Sequence, residues 1–164
     1  MKENTYAILA CVLMVLGLVL VILAWTNVIN FPLADWIGWI VGAVGGYFGQ
    51  IYNSLESKKV SLFQLLVLVA CADGDASAEE IKQINEYAKQ FDISGKRYES
   101  IVKEVAEGKV QFPIPEEIDE RKKNIKALIK MANADGQIDS KELAIIKEIA
   151  KRYSLGEDYV DSLI

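Results

Sequence analysis

Two uncharged, largely apolar segments open the chain, and amphipathic segments follow them. Residues 4–34 carry no charge, and residues 6–25 are mostly Leu, Val, Ile, Ala and Met. About 20 such residues in a helix cover the roughly 30 Å of bilayer hydrocarbon. A second uncharged segment occupies residues 36–52, after a short polar connection. This pattern predicts an N-terminal transmembrane helical hairpin, with spans at about 6–25 and 36–52.

The first apolar segment differs from a cleaved signal peptide. A signal peptide begins with a basic region and ends at a small-residue cleavage site. Here Glu3 offsets Lys2, and the apolar segment ends at Trp25. We therefore expect an uncleaved anchor.

Glycines recur through the second apolar segment, at Gly38, Gly42, Gly45, Gly46 and Gly49. Gly38, Gly42 and Gly46 recur every four residues, with Gly45 and Gly49 one position off, and this stripe of small residues on one helix face allows two backbones to approach closely. The partner helix is either the first helix of the same chain or the same helix in another copy. The second alternative predicts a homo-oligomer.

Basic residues predict the orientation of the hairpin. The connection between the two segments has no Lys or Arg, whereas Lys2 precedes the first segment and Lys58 and Lys59 follow the second. Positive charge is enriched in cytoplasmic flanks. We therefore expect a bacterial inner-membrane protein with its soluble domain in the cytoplasm.

The rest of the chain has the apolar period of helices and shows no alternating stretch typical of strands. Six such helical stretches occur, three on either side of a linker that contains Pro113 and Pro115. The prediction is an all-α protein in which a membrane anchor at 1–57 precedes a helical domain at 58–164. Two three-helix units, at about 61–105 and 118–164, make up that domain.

A short acidic motif occurs in both units in the same register. Residues 73–80 read Asp-Gly-Asp-Ala-Ser-Ala-Glu-Glu, and residues 135–142 read Asp-Gly-Gln-Ile-Asp-Ser-Lys-Glu. Self-similarity at fixed spacing indicates an internal repeat. Gly74 and Gly136 suit a left-handed residue after a helix. Helix caps at Ser77 and Asp139, with Glu80 and Glu142 three residues later at the capping-box spacing, then explain most of the motif.

Capping leaves several carboxylates of the motif unexplained. A hard cation such as calcium or magnesium needs several carboxylate oxygens that converge on one point. The motif resembles the end of an EF-hand loop, but the first ligand position would fall on Val69 in one copy and on Met131 in the other. The sequence therefore does not predict a true EF-hand, and a looser divalent site in each copy, or between the copies, stays open.

The duplicated pattern of an Ala-rich helix, Ala-Asp-Gly, a short polar stretch and Glu resembles the TerB-like tellurite-resistance domain, including the version in the N-terminal region of the DjlA co-chaperones. The resemblance covers about residues 61–164, and the preceding Gly-rich segment is similar to the membrane region of those co-chaperones. It implies a helical bundle with an acidic surface implicated in metal binding, and roles in stress response. The acidic positions that it assigns are Asp73, Asp75, Glu80, Asp135, Asp139 and Glu142.

Composition limits the function. The chain has no His, so it lacks the His-Pro-Asp triplet of a J-domain, the usual general base and the commonest ligand of catalytic zinc. Cys71 is expected on an apolar helix face, where a thiol is a poor nucleophile. A net charge of -5 without a basic stripe argues against nucleic acid. We expect a non-enzymatic adaptor that binds a protein partner in a stress or envelope response. The alternatives are a divalent-cation sensor and a DjlA-like, chaperone-associated membrane protein without a J-domain.

Overall fold

The computed structural model describes residues 2–25, 34–72, 74, 76–110 and 112–164. These residues form seven α-helices and no strand, which confirms the all-α prediction. The helices are α1 (Lys2–Trp25), α2 (Ala34–Ala70), α3 (Ala78–Gln90), α4 (Gly95–Ala106), α5 (Ile118–Ala132), α6 (Ser140–Arg152) and α7 (Glu157–Asp161). The chain divides into two compact units, Met1–Ser57 and Lys58–Ile164.

Helix α1 is apolar on all sides, and its side chains are exposed. Ile8, Val15 and Leu18 are each at least 60% exposed. Only 11% of the candidate span Thr5–Leu23 is buried, whereas the core helix of a soluble protein would be mostly buried. Among the described residues it is the one helix long and apolar enough to cross a membrane, a criterion that an N-terminal signal sequence also meets.

The predicted transmembrane hairpin of two spans was wrong in its second half. Residues 36–52 form the first part of the 37-residue helix α2, which continues through Lys58 and Lys59 to Ala70. Five glycines contribute little transfer free energy, so this part does not reach the hydropathy of a spanning helix by itself. The connection that was expected to lie between the two spans, residues 26–33, is outside the described residues.

The glycines of α2 pack against α1 inside the first unit. A Cβ built on Gly38 would lie 2.7 Å from Val21 Cγ2, and one built on Gly45 would lie 2.9 Å from Met14 N. A Cβ on Gly17 of α1 would lie 2.8 Å from the Gly42 nitrogen. A side chain at Gly17, Gly38 or Gly45 would hold the two helices apart, whereas a Cβ built on Gly42 would meet nothing within 4 Å, so Gly42 contributes only its backbone to the contact. We call this line of contacts the glycine seam: Gly17 on α1, with Gly38, Gly42 and Gly45 on α2.

The last part of α2 is the central helix of the second unit. Phe63, Leu65, Leu66, Val67 and Val69 occupy all sides of this helix, and each is at most 2% exposed. A helix that is apolar all round and lies in a globular unit must be surrounded by other helices. The side chains that enclose it come from α3 to α7 and include Ile84, Ile101, Ile125, Leu128, Ile146, Tyr153 and Val160.

The internal repeat extends beyond the acidic motif into the backbone conformation. Helices α3 and α6 have the same length, 13 residues, and they occupy equivalent positions in the two copies. After each of them comes a residue with positive φ that is not glycine, Asp92 at 59° and Ser154 at 58°. The next amide then donates to a carbonyl near the helix end, Ile93 N to Ala88 O and Leu155 N to Ala150 O. The two copies therefore share a helix, a turn and a capped end.

Candidate functional site: an acidic cleft between two capped helices

Asp139 and Glu142 form a capping box at the start of α6. The Asp139 carboxylate accepts a hydrogen bond from Lys141 N at 2.7 Å, and Glu142 Oε2 accepts one from Asp139 N at 3.0 Å. These bonds satisfy amides that have no partner inside the helix. Glu142 is only 5% exposed, so its hydrogen bonds offset the cost of burying a carboxylate.

Ser77 and Glu80 build the same device at the start of α3. Glu80 N donates to Ser77 Oγ at 3.2 Å, and Ser77 N donates to Glu80 Oε2 at 2.7 Å. Glu80 is 6% exposed, close to the value for Glu142. The two glutamates therefore have equivalent structural roles in the two copies.

Glycine makes the turn that brings each helix start to this position. Gly74 and Gly136 have φ values of 110° and 89°, a region that favours glycine. Each donates its amide to a carbonyl three residues earlier, at 3.2 Å in both copies. The left-handed glycine and the two capping boxes have the positions and partners that the motif predicted.

The two helix starts face a common cleft. It has a volume of about 420 Å³ and is open to solvent. The residues that line it come from both copies of the motif: Ala76, Ser77, Glu80, Asp135, Gln137, Ile138, Asp139, Ser140 and Glu142. Four of them are carboxylates, and none of the described residues that line the cleft is Lys or Arg.

The four carboxylates of the cleft differ in what they offer a ligand. Glu80 and Glu142 are buried and hold the helix starts, where a negative charge offsets the partial positive charge of the helix dipole. Asp135 and Asp139 are exposed. Asp135 Oδ1 accepts a hydrogen bond from Gln137 N at 2.9 Å, and the residue lines the cleft. Asp135 and Asp139 are therefore the groups that a cationic ligand meets first.

The predicted cation site is only partly within the described residues. Asp73 and Asp75 lie outside them. Among the residues that the structure describes, no group of three or more His, Cys, Asp or Glu side chains is arranged to hold a metal ion. The calcium or magnesium site therefore stays a prediction.

Two features of this region were not expected from the sequence. Gln137, Ile138 and Ser140 line the cleft, although only their place inside the motif marked them. Cys71 was predicted on an apolar face, but it is exposed in the turn after α2. The helix ends at Ala70, one residue before the apolar period would have buried this thiol.

Comparison of the chain with protein-family models, with curated proteins and with solved structures found no match.

The capping boxes give a direct stability prediction. Removing the cap side chain in Ser77→Ala or Asp139→Ala is expected to cost about 1 kcal/mol of local helix stability in each case. Hydrogen exchange of the first turns of α3 and α6, measured by mass spectrometry on the full chain in detergent, should become roughly fivefold faster. Ser94→Ala is the matched control, because Ser94 stands at the start of α4 without a side-chain capping bond. Equal acceleration in all three variants would contradict the capping role.

Proposed function

We propose that this protein is a membrane-anchored, non-enzymatic adaptor whose acidic cleft binds a basic segment of a protein partner in a stress or envelope response. The observation that carries the proposal is the cleft itself, because both copies of the motif line one cavity, and the charged residues among its described lining are all carboxylates. Charge complementarity of this kind favours partners that present Lys or Arg.

Helix α1 is the proposed anchor. Its exposed side chains are apolar along the whole candidate span, and exposed surfaces of this kind are stable in lipid and costly in water. We place the second unit at the cytoplasmic face of a bacterial inner membrane, because Lys58 and Lys59 follow the apolar segments within a few residues, and the connection between those segments has no Lys or Arg.

The family proposal is a TerB-like module, related to the membrane-anchored co-chaperones but without a J-domain. Its support is the duplicated motif, together with two capped helices that begin after a glycine turn in the same register. The proposal of a non-enzymatic role is supported by the absence of His from the sequence. Cys71 adds no support to the non-enzymatic role, because its thiol is exposed and not buried on an apolar face.

A charge-neutral variant of the cleft tests the adaptor proposal. Asn caps a helix about as well as Asp, so D135N/D139N removes two charges and keeps the local hydrogen bonds. We expect the full chain in neutral detergent to bind a fluorescent hexalysine peptide at low salt, and the variant to bind it at least tenfold more weakly. E86Q/E99Q is the matched control, because both glutamates are exposed and lie outside the cleft.

The outcome for the control decides whether the cleft matters. Equal loss of binding in both variants would show that the peptide responds to net charge alone, and this would overturn the proposal. If the cleft is the site, cross-linking in native membranes should then yield a partner that D135N/D139N loses and E86Q/E99Q retains.

The same carboxylates also support a divalent-cation sensor as the second candidate. Ions that bind only the folded state raise its melting temperature by mass action. We expect a sensor to give heat on titration with calcium, magnesium, manganese or zinc, and a higher melting temperature that D135N/D139N abolishes. The absence of heat and of a melting shift at millimolar ion would remove this candidate and leave the adaptor proposal standing.

A further inference from the structure

The first part of α2 has an outward face as apolar as that of α1. Large side chains on this face are exposed: Ile37 at 41%, Trp39 at 70%, Ile40 at 60%, Val44 at 42% and Tyr47 at 62%. No charged residue occurs between positions 36 and 55. Soluble monomers rarely expose a contiguous patch of this kind, so the face needs an apolar environment.

The glycine seam fixes where this face lies along α1. Gly38 is in contact with Gly17 and Val21, and Gly45 is in contact with Ala10 and Met14. Residues 38–45 of α2 therefore run antiparallel beside residues 10–21 of α1. Those α1 residues lie within the candidate span Thr5–Leu23.

We propose that the outward face of α2, from Ile37 to Tyr47, contacts lipid hydrocarbon. The inference rests on the proposed anchoring by α1: if Ala10 to Val21 lies at hydrocarbon depth, whatever packs directly against it lies at the same depth. The first part of α2 is held in the hydrocarbon by its packing against α1 and is not apolar enough to span the membrane by itself. Its glycines are too weakly apolar to drive insertion into lipid, but they allow close packing against α1, and this packing stabilises α2 in the membrane.

Backbone chemistry agrees with this placement. In hydrocarbon every backbone polar group needs an internal partner, and a helix supplies one for each residue in its interior. The described part of α2 is an uninterrupted helix from Ala34 onward. The stacked rings of Tyr6 and Phe48, with centroids 6.0 Å apart, add a contact between α1 and α2 beyond the glycines.

Spin-label accessibility in vesicles of phosphatidylcholine and phosphatidylglycerol tests the inference. Single labels are placed on the full chain in a C11S/C71S background, through V44C on the outward face of α2, V15C on α1 and E99C in the second unit. Molecular oxygen concentrates in hydrocarbon, and a nickel chelate stays in water. We expect labels at V44C and V15C to collide mainly with oxygen, and the label at E99C to collide mainly with nickel. I40C repeats the test on the same face, because Ile40 is 60% exposed.

Each other outcome overturns a different statement. If V15C reports lipid while V44C and I40C report water, the lipid contact of α2 is wrong and the anchor stands. If V15C also reports water, the anchoring proposal itself fails. If V44C and I40C are shielded from both reagents, protein covers this face, a second copy of the chain or another partner, and the lipid assignment is wrong.

Discussion

Replacing Gly45 with leucine is expected to separate α1 from the first part of α2, whereas the same replacement at Gly46 should leave the two helices packed. A Cβ at Gly45 would lie 2.9 Å from Met14 N and 3.0 Å from Ala10 O, and neither backbone atom can move without displacing the helix. A Cβ at Gly46 meets nothing within 4 Å. Overpacking in a close contact costs about 1–3 kcal/mol even when side chains can adjust, so a clash with backbone should exceed that range.

A disulfide across the seam measures this separation. A Cβ on Gly49 would lie 4.0 Å from Ala10 Cβ, within the range that a disulfide spans. The pair A10C/G49C, in the C11S/C71S background, should therefore form a disulfide in detergent under mild oxidation. G45L should abolish most of the product, and G46L should retain it. Loss of product in G46L alone would place the packing face on the other side of α2 and revive a homo-oligomer through Gly46.

The sequence predicted the glycine packing in the first unit only in part. The glycines were recognised as a packing stripe, but a period of four residues emphasised Gly38, Gly42 and Gly46. The α2 positions where a Cβ would meet α1 are Gly38 and Gly45, which lie seven residues apart, close to two turns of a helix with 3.6 residues per turn, whereas a Cβ on Gly42 or Gly46 meets nothing within 4 Å. The partner Gly17 was missed, because a single glycine in a Leu- and Val-rich helix has no local pattern to mark it.

The sequence also misplaced the end of helix α2. The predicted second span ends at residue 52, whereas the helix continues to Ala70. The predicted domain boundary after residue 57 coincides with the change from apolar to charged composition at Lys58 and Lys59. Glu and Lys are good helix formers, and neither Gly nor Pro occurs between Gln50 and Ala70 to end the helix. A change of environment along the chain therefore did not require a change of secondary structure.

The acidic motif was the most predictable part, because capping depends on residues close in sequence. Ser77 with Glu80 and Asp139 with Glu142 form the bonds that their spacing predicted. The cleft between the copies was not predictable in the same way, since it depends on how α3 and α6 pack in the second unit. The left-handed Asp92 and Ser154 also had no sequence signal, because neither is glycine.

Replacing Arg121 with methionine is expected to destabilise the junction between the linker and α6 more than any surface change in the second unit. The guanidinium donates to Pro115 O at 2.6 Å, to Tyr153 O at 3.1 Å and to Glu116 O at 3.2 Å. The Tyr153 carbonyl stands at the end of α6, where carbonyls lack helical partners and a positive charge is favourable. Hydrogen bonds from a charged group contribute about 1.5–3 kcal/mol, so the loss of all three should cost at least about 2 kcal/mol.

Hydrogen exchange on the full chain in detergent locates that loss. Amides at the end of α6 and the start of α5 should exchange roughly 30-fold faster in R121M, which is the equivalent of about 2 kcal/mol. R121K should recover part of the protection, because an ammonium group can reach a carbonyl but cannot bridge three of them as a planar guanidinium does. K122M is the matched control, since Lys122 is the exposed neighbour on the same helix and loses the same charge. If K122M accelerates exchange as much as R121M, the loss is one of net charge, and Arg121 does not hold the linker to α6 through its three carbonyl contacts.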